Sequence, residues 1–306
     1  MRTSASVRLA RHAAAALLLL VAGGALHAQD PPASHADEIR AWHAKRVARL
    51  QSDTGWLTVA GLFWLEPGEN SFGTDPKSDI VLPAGSAPAR AGVFVHRDGM
   101  TRVRAAPGAP LRSGGKSIQE LRLRSDAEDT TDVVELNDLR FFVIKRGDRW
   151  GIRMRDLNSP MRRGFTRIDT YPIDEKYRVA ARFEPYDPPK RIPIANVIGT
   201  VDTMVSPGAL LFELGGQALR LDSVLESPED TSLFLIFKDE TSGDETYGAG
   251  RFLYTDLPQD GQVMVDFNKA YNPPCAFTAY ATCPLPPLQN ELSIAVRAGE
   301  KNYAQH

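Results

Sequence analysis

Short apolar runs separated by turn-forming dipeptides dominate the chain from Gly55 onward, and they restrict it to a β-rich fold. The dipeptides recur along the chain at Pro67–Gly68, Asp98–Gly99, Gly114–Gly115, Gly147–Asp148, Pro207–Gly208, Gly215–Gly216 and Asp260–Gly261. Such spacing is typical of antiparallel strands in a sandwich or barrel. The sequence therefore predicts a mainly β fold with two β subdomains, residues 55–128 and 129–306, divided by a polar, acidic segment.

One amphipathic helix is predicted before the strands, within a leader and helix region at residues 29–54. Ser34 can cap its N-terminus, with Asp37 three residues further on, close to a capping box. Apolar residues then follow on one stripe, at Ile39, Trp42, Val47 and Leu50. This pattern predicts a helix that ends near Gln51 and packs on the β-rich body.

The first 28 residues have the pattern of a secretory signal peptide. Arg2, Arg8 and Arg11 precede an uncharged apolar run, and the small residues Ala25 and Ala28 follow as cleavage positions. A membrane anchor is the alternative, but the run of about 14 residues is shorter than the roughly 20 that a spanning helix needs. We therefore expect a soluble mature chain in the periplasm or secreted from the cell.

The charge of the mature chain argues against a nucleic acid partner. Removal of residues 1–28 takes away three arginines and no acid, so 33 of the 36 basic residues remain against 38 acidic ones, a net charge of −5. A strongly basic surface is the usual sign of nucleic acid or anionic membrane binding, and this balance gives none.

Two cysteines, Cys275 and Cys283, are present in the whole sequence. In an oxidising compartment a disulfide closing this short loop is the expected state. Free thiols are an alternative. A metal site is a weaker one, because no histidine lies nearby and a structural zinc normally has four Cys or His ligands.

The stretch at residues 61–83 resembles the opening of a forkhead-associated (FHA) domain, a small β-sandwich. The resemblance departs where that family binds phosphothreonine: Gly73 is followed by Thr74 rather than by arginine, and the Ser-x-x-His equivalent is absent from SAPARAGVF. It therefore implies the fold of residues 55–128 and no phosphothreonine recognition.

A broader resemblance covers most of the mature chain. The segments GWLTVAGLFWLEPGENSFG, RGDRWGIRMRD, RFEPYDPP, TYGAGRFLY and DFNKAYNPPCAFTAYATCPLPPLQNELSIAVRAGEKNY together look like the bacterial DUF1684 family. That family is defined as a domain of unknown function, so the resemblance implies no reaction or ligand.

The common catalytic signatures are absent from the sequence. It contains no G-x-S-x-G elbow, no H-E-x-x-H and no phosphate-binding P-loop motif. The mature chain has four histidines, His35, His43, His96 and His306, too few and too scattered to predict a metal centre or a Ser-His-Asp triad. No cofactor and no metal are expected.

A basic hairpin gives the first positive indication of function. Nine Lys or Arg residues occur between Arg140 and Arg167, against Asp148 and Asp156 alone. Side chains alternate along a strand, so Trp150, Ile152 and Met154 should share one face, and the other face should carry Arg149, Arg153 and Arg155. Arginine suits a bidentate grip on carboxylate or phosphate. The alternative is a solvated face whose arginines pair with the protein's acids.

A polar segment near the C-terminus gives the second positive indication of function. Candidate ligand-binding residues there are Arg251, Tyr254, Asn268, Tyr271 and Asn272. Such a mixture fits a site that hydrogen-bonds sugars or peptides, and Glu240 and Asp266 could act as acid and base in hydrolysis if they lie at a suitable separation. The alternative is a rigid, proline-rich loop that closes the fold.

Three functions remain open from the sequence. The favoured hypothesis is an exported protein that binds a polar or anionic small molecule or a cell-envelope fragment. The others are a carboxylate-based hydrolase of envelope polymers and a structural or interaction module.

Overall fold

A computed structural model of the chain describes residues 34–303, which belong to one compact unit that begins at Ser34. The signal peptide predicted at residues 1–28 and the histidine at position 306 lie outside the described residues. No helix within the described part of the chain is long and apolar enough to cross a membrane.

The first element is helix α1, His35–Gln51. The Ser34 side chain accepts a hydrogen bond from the Asp37 backbone N–H at 3.2 Å, and Asp37 and Glu38 place negative charge in the first turn. Ile39 and Leu50 are buried, so the apolar stripe packs on the body as predicted. A second, short helix, α2 (Pro160–Gly164), is capped by Ser159.

Eleven strands of the described chain precede α2. They are β1 Val59–Trp64, β2 Gly68–Gly73, β3 Ile80–Val81, β4 Gly92–Arg97, β5 Met100–Ala105, β6 Arg112–Ser113, β7 Lys116–Ser117, β8 Glu120–Leu123, β9 Val134–Leu136, β10 Leu139–Arg146 and β11 Arg149–Asp156. They form two sheets, ordered β3-β2-β4-β5-β8 and β1-β11-β10-β9-β6-β7.

Phe72, Phe94 and Phe141 join these two sheets in one core, with ring centroids 4.5–6.0 Å apart. This core continues to Met154. It therefore contains residues on both sides of position 128, where the sequence predicts a subdomain boundary.

Six further strands follow α2 in the described chain. They are β12 Arg178–Ala195, β13 Val201–Leu214, β14 Gln217–Asp222, β15 Ser232–Phe237, β16 Arg251–Asp256 and β17 Gln262–Asp266. One sheet has the order β14-β13-β12-β17, and β15 pairs with β16. A second large core lies here, around Leu210, Leu235, Phe237 and Phe267.

The predicted fold class is confirmed: the protein is mainly β, its sheets are antiparallel apart from the β2–β3 pair, and a helix stands at the start. Short 3₁₀ helices connect the strands, at Trp56–Thr58, Glu175–Tyr177, Phe267–Lys269, Pro274–Ala276 and Leu288–Asn290. Among residues 34–303 no sheet closes into a barrel.

Candidate functional site

The β10–β11 hairpin positions the arginines that the sequence singled out. Arg146 pairs with Arg149 across a two-residue turn, in which Gly147 has the positive φ of 56° that such turns favour. Ile152 and Met154 lie in the first core. The predicted hairpin and its alternation are confirmed, because Arg153 points away from that core.

Arg153 is 4% exposed, so the predicted alternative of a solvated arginine face is wrong at this position. Its Nη2 donates to the Tyr280 carbonyl and the Thr282 hydroxyl, both at 3.4 Å, and its guanidinium lies 5.2 Å from the Trp56 ring centroid. Its Nε has no hydrogen-bond partner among residues 34–303. No carboxylate of the described chain lies within 4.0 Å of this cation.

Burial, with a smaller contribution from the nearby Arg146, lowers the pKa of Arg153 to about 10, and Asp126 opposes the change. Burial also lowers the pKa of Arg155, whose Nη1 donates to the Gly55 carbonyl at 2.6 Å and to the Thr58 hydroxyl. Desolvation disfavours a charged form unless an opposite charge is close. Both guanidinium groups are therefore short of a counter-charge.

Arg146 and Arg153 converge on one hydroxyl group. Arg146 Nε donates to the Thr282 hydroxyl at 3.0 Å, and Arg153 donates to the same oxygen. Asp126 neutralises Arg146 in part, at 2.8 Å. Two cations that share one neutral acceptor leave donors available to an anion at this point.

These residues line a cleft of about 1180 Å³, which we call the basic cleft. Its positive charges, the cationic set, are Lys45, Arg46, Arg49, Arg146, Arg153 and Arg155. Its aromatic lining comes from Trp42, Trp56, Phe234, Phe252, Tyr254 and Tyr271. Asp202 and Glu226 are the two acids of the lining, so cations outnumber acids three to one.

Helix α1 is held at the cleft by polar contacts with the C-terminal segment. His35 Nε2 lies 2.7 Å from the Asp266 carboxylate, and His43 Nε2 lies 3.1 Å from the Asn268 carbonyl. Arg46 contacts the buried Glu300 carboxylate at 3.2 Å. Burial raises the pKa of Glu300, an effect that Arg46 opposes, and burial lowers the pKa of His43.

The aromatic lining is built on Tyr254. Its ring is nearly parallel to those of Phe234 and Tyr271, with centroids 4.8 and 6.4 Å away, and its hydroxyl donates to Glu226. Burial raises the pKa of Tyr254 and of Tyr271, so both hydroxyls remain neutral donors. The Arg46 guanidinium lies 4.6 Å from the Tyr271 ring centroid.

Four residues predicted to bind ligand line the cleft: Arg153, Arg155, Tyr254 and Tyr271. The other four, Arg149, Arg251, Asn268 and Asn272, do not. Arg149 is exposed on β11 and lies 3.8 Å from the Trp64 ring centroid.

Arg251 is fully buried and paired with Asp239 at 2.6 Å, and its guanidinium also donates to the Val296 carbonyl. Asn268 bonds to Asp174 and Asp266. Asn272 donates to the Lys301 carbonyl at 2.7 Å. These three side chains hold loops together, which is the scaffold alternative for the polar segment.

The two candidate catalytic carboxylates lie outside the cleft. Glu240 is exposed, and Asp266 is occupied by His35 and by Asn268. Neither is part of the cleft lining, so the structure does not bring them together as an acid–base pair there. No group of three or more His, Cys, Asp or Glu side chains within the described chain is placed to hold a metal ion.

Both cysteines are free thiols in the structure, so the predicted disulfide is not present in it. The two are nevertheless in contact: the Cys275 backbone N–H donates to Cys283 Sγ at 3.1 Å. A hydrogen bond from the Cys283 thiol lowers the pKa of Cys275, while burial raises that of Cys283. The backbone hydrogen bond thus holds the Cys283 sulfur beside Cys275, and Cys283 lines the cleft.

Sequence reasoning missed the contribution of helix α1. Lys45 and Arg49 are one turn apart on it, a spacing that places two cations on one helical face. This signal is visible in the sequence, but only the tertiary position of α1 beside β11 and the C-terminal loop turns it into part of a site.

Comparison with known proteins assigns part of the chain to a protein family. The model for Protein of unknown function (DUF1684) matches residues 163–301. No curated protein matches the chain. All six members of the cationic set precede residue 163, and both acids of the lining fall within the matched stretch.

Two solved structures are similar to parts of the chain. One is the solution NMR structure of the uncharacterized protein from gene locus rrnAC0354 of Haloarcula marismortui, 30% identical with a TM-score of 0.41, covering 48% of this chain and 83% of that one. The other is from an analysis of phosphothreonine-dependent FHA domain interactions, 15% identical with a TM-score of 0.23, covering 31% of this chain and 92% of that one.

Proposed function

Since the chain belongs to the DUF1684 family, whose description names no reaction or ligand, we propose its function from the basic cleft alone: the protein binds an anionic ligand there. The ligand presents a carboxylate or phosphate group to the cationic set. The protein acts by binding, and none of its residues is assigned a catalytic step.

The observation that carries this proposal is the burial of Arg153 without a counter-charge among residues 34–303. A buried arginine is normally paired with a carboxylate, as Arg251 is with Asp239 in this protein. An unpaired cation with a perturbed pKa that lines a cleft is a candidate for a functional site. The missing counter-charge is then the ligand's.

The neighbouring groups suit such a ligand. Arg155 is half-buried and has no carboxylate partner among residues 34–303, and Arg146 meets Arg153 at the Thr282 hydroxyl. Each charge-assisted hydrogen bond to an anion in this setting contributes about 1.5–3 kcal/mol. Two or three of them give the ligand one preferred position.

The cleft volume argues for a ligand larger than a single ion. A volume of about 1180 Å³ is larger than the roughly 300–1,000 Å³ of ordinary small-molecule sites. A polar small molecule or a short fragment of an envelope polymer fits this space. The hydrolase alternative gains no support here, because Glu240 and Asp266 are not part of the cleft lining.

We place this binding outside the cytoplasm on the strength of the N-terminal sequence. Arg2, Arg8 and Arg11 before an apolar run are typical of a signal peptide. Fractionation of cells that express the full chain, with an intact mass of the exported product, tests this part of the proposal. A product that keeps residues 1–28 and remains in the cytoplasm would contradict it.

The binding proposal is tested by isothermal titration of the purified protein with inorganic phosphate and with sulfate. Arg153→Met should weaken binding of the better anion roughly tenfold to a hundredfold, the effect of one charge-assisted hydrogen bond. Arg149→Met is the matched control, because Arg149 lies on the same strand outside the cleft, and it should leave the affinity unchanged.

Salt dependence gives a second readout of the same titration. Binding should weaken as sodium chloride rises, since the exposed Lys45 and Arg49 are screened by salt. Equal affinities of wild type and Arg153→Met for every anion tried, or no anion binding at all, would contradict the proposed function.

A further inference from the structure

The two acids of the basic cleft form no ion pair with its cations. Neither Asp202 nor Glu226 forms an ion pair with any residue between 34 and 303. Instead each accepts from a neutral donor, Asp202 from the Asn196 amide at 3.3 Å and Glu226 from the Tyr254 hydroxyl. Both acids are exposed, so their remaining lone pairs face the cleft or solvent.

The cleft therefore offers both unpaired carboxylates and an excess of cations, and this combination constrains the ligand. A carboxylate beside the lining repels a second anionic group, so a ligand with negative charges along its whole length is disfavoured. The same carboxylates accept hydrogen bonds from hydroxyl groups. The matching ligand therefore has one anionic group and a neutral body that carries hydroxyl donors.

The aromatic lining of the cleft also suits a ligand whose neutral part carries hydroxyl groups. Tyr254 is 40% exposed, although its ring also packs beside Phe234 and Tyr271. Tyr254 is the shared member of a row of three nearly parallel rings, and its hydroxyl donates to Glu226. A pyranose ring offers a flat patch of C–H groups with hydroxyls at its rim, which is complementary to this arrangement.

From these contacts we infer that the basic cleft binds an acidic sugar, a saccharide with one carboxylate or phosphate group, whose ring lies on Tyr254 and whose hydroxyls bond to Glu226 and Asp202. This inference rests on the proposed anion binding and specifies its ligand. The cleft volume leaves room for more than one sugar unit.

The test compares ligands that each carry one carboxylate or phosphate group and differ in the rest of the molecule. Affinities are measured by titration for glucose 6-phosphate, glucuronate, glycerol 3-phosphate, adenosine monophosphate and inorganic phosphate. We expect at least one of the two sugar ligands to bind tenfold or more tightly than glycerol 3-phosphate and inorganic phosphate. The sugar that binds more tightly shows whether the cleft prefers a phosphate group, as in glucose 6-phosphate, or a carboxylate, as in glucuronate.

Variants test whether the aromatic lining causes the preference for a sugar ligand over glycerol 3-phosphate. Tyr254→Ala should bring the sugar's affinity within about twofold of that for glycerol 3-phosphate, while inorganic phosphate binds as to wild type. Tyr280→Ala is the matched control, since Tyr280 is 41% exposed and is not part of the lining. It should change no affinity by more than twofold.

A second variant covers the case in which Tyr254→Ala does not fold. Glu226→Gln keeps the shape and removes a negative charge, so inorganic phosphate should bind more tightly while the ratio of sugar to glycerol 3-phosphate affinity falls. A rise of both affinities by the same factor would contradict the role given to Glu226.

The outcomes separate the two proposals. If inorganic phosphate binds and Arg153→Met weakens this binding tenfold or more, but no sugar ligand binds more tightly than glycerol 3-phosphate, the acidic-sugar inference is wrong and anion binding stands. Tighter binding of adenosine monophosphate than of either sugar overturns the inference in favour of a nucleotide. If no anion binds, both proposals fall together.

Discussion

Replacement of Arg153 by methionine should stabilise the ligand-free protein. Burial lowers the pKa of Arg153 from the ordinary value of an arginine to about 10. One pKa unit corresponds to about 1.4 kcal/mol, so the buried charge costs about 3 kcal/mol at neutral pH. The folded chain releases the proton near pH 10, and the unfolded chain releases it only at a higher pH. Stability therefore rises as the pH rises between these values, and the whole cost is present below pH 10.

Methionine removes this charge and keeps much of the apolar stem. The substitution also removes two long hydrogen bonds, to Tyr280 and Thr282, and the contact with Trp56. Because both hydrogen bonds are long, each of these three losses is worth about 0.5 kcal/mol, and together they offset about half of the gain. We expect a net increase of about 1–2 kcal/mol in the free energy of unfolding.

Arg251→Met is the matched control, because it also replaces a buried arginine on a strand. Arg251 is paired with the buried Asp239, so its removal leaves an unpaired carboxylate and should cost about 3–5 kcal/mol. Urea denaturation of the three proteins, followed by circular dichroism at 25 °C without added anions, measures both effects. A loss of more than 1 kcal/mol in Arg153→Met would refute the reasoning, since the charge would then be compensated within the protein.

Three further predictions concern other parts of the chain. Under reducing conditions iodoacetamide should modify Cys275 before Cys283, because the pKa of Cys275 is lowered and that of the buried Cys283 is raised; peptide mass mapping over time checks the order, and the reverse order would contradict it. No phosphothreonine peptide should bind with micromolar affinity, because Thr74 stands where the FHA family has arginine; fluorescence anisotropy measures this, and saturable binding would overturn it. Burial lowers the pKa of His43, so its contribution to stability is present above its unfolded pKa and is lost as the pH falls through the folded pKa. The melting temperature should therefore fall on acidification, and less steeply in His43→Asn; equal slopes would argue that other groups govern the change.

The strand alternation around Arg153 could be predicted from the sequence because it is local. A two-residue turn and a period of two place Arg153 and Arg155 on one face whatever the rest of the chain does. Their burial could not be predicted, since it depends on Trp56 and on Thr282, which lies 129 residues away along the chain. Contacts at such separations are set by tertiary packing.

In the polar segment near the C-terminus, the sequence could not distinguish residues that line the cleft from residues that stabilise the fold. Arg251 and Tyr254 are three residues apart in one strand and looked equally suited to bind ligand. In the structure Arg251 is enclosed with Asp239, whereas Tyr254 lines the cleft. Composition gives the kind of residue in a segment, and only the packing of β16 decides which side of it meets a ligand.

The division of the cleft between two stretches of the chain has a consequence for relatives of this protein. The stretch matched by the family model, residues 163–301, supplies Tyr254, Tyr271 and both acids, while every cation comes from upstream. A relative reduced to the matched stretch would keep a surface suited to neutral hydroxyl compounds and would lack the means to hold an anion. Ligand charge would then vary among members with the segment that each carries upstream, and a ligand found for one relative could be transferred to another only after that segment had been compared.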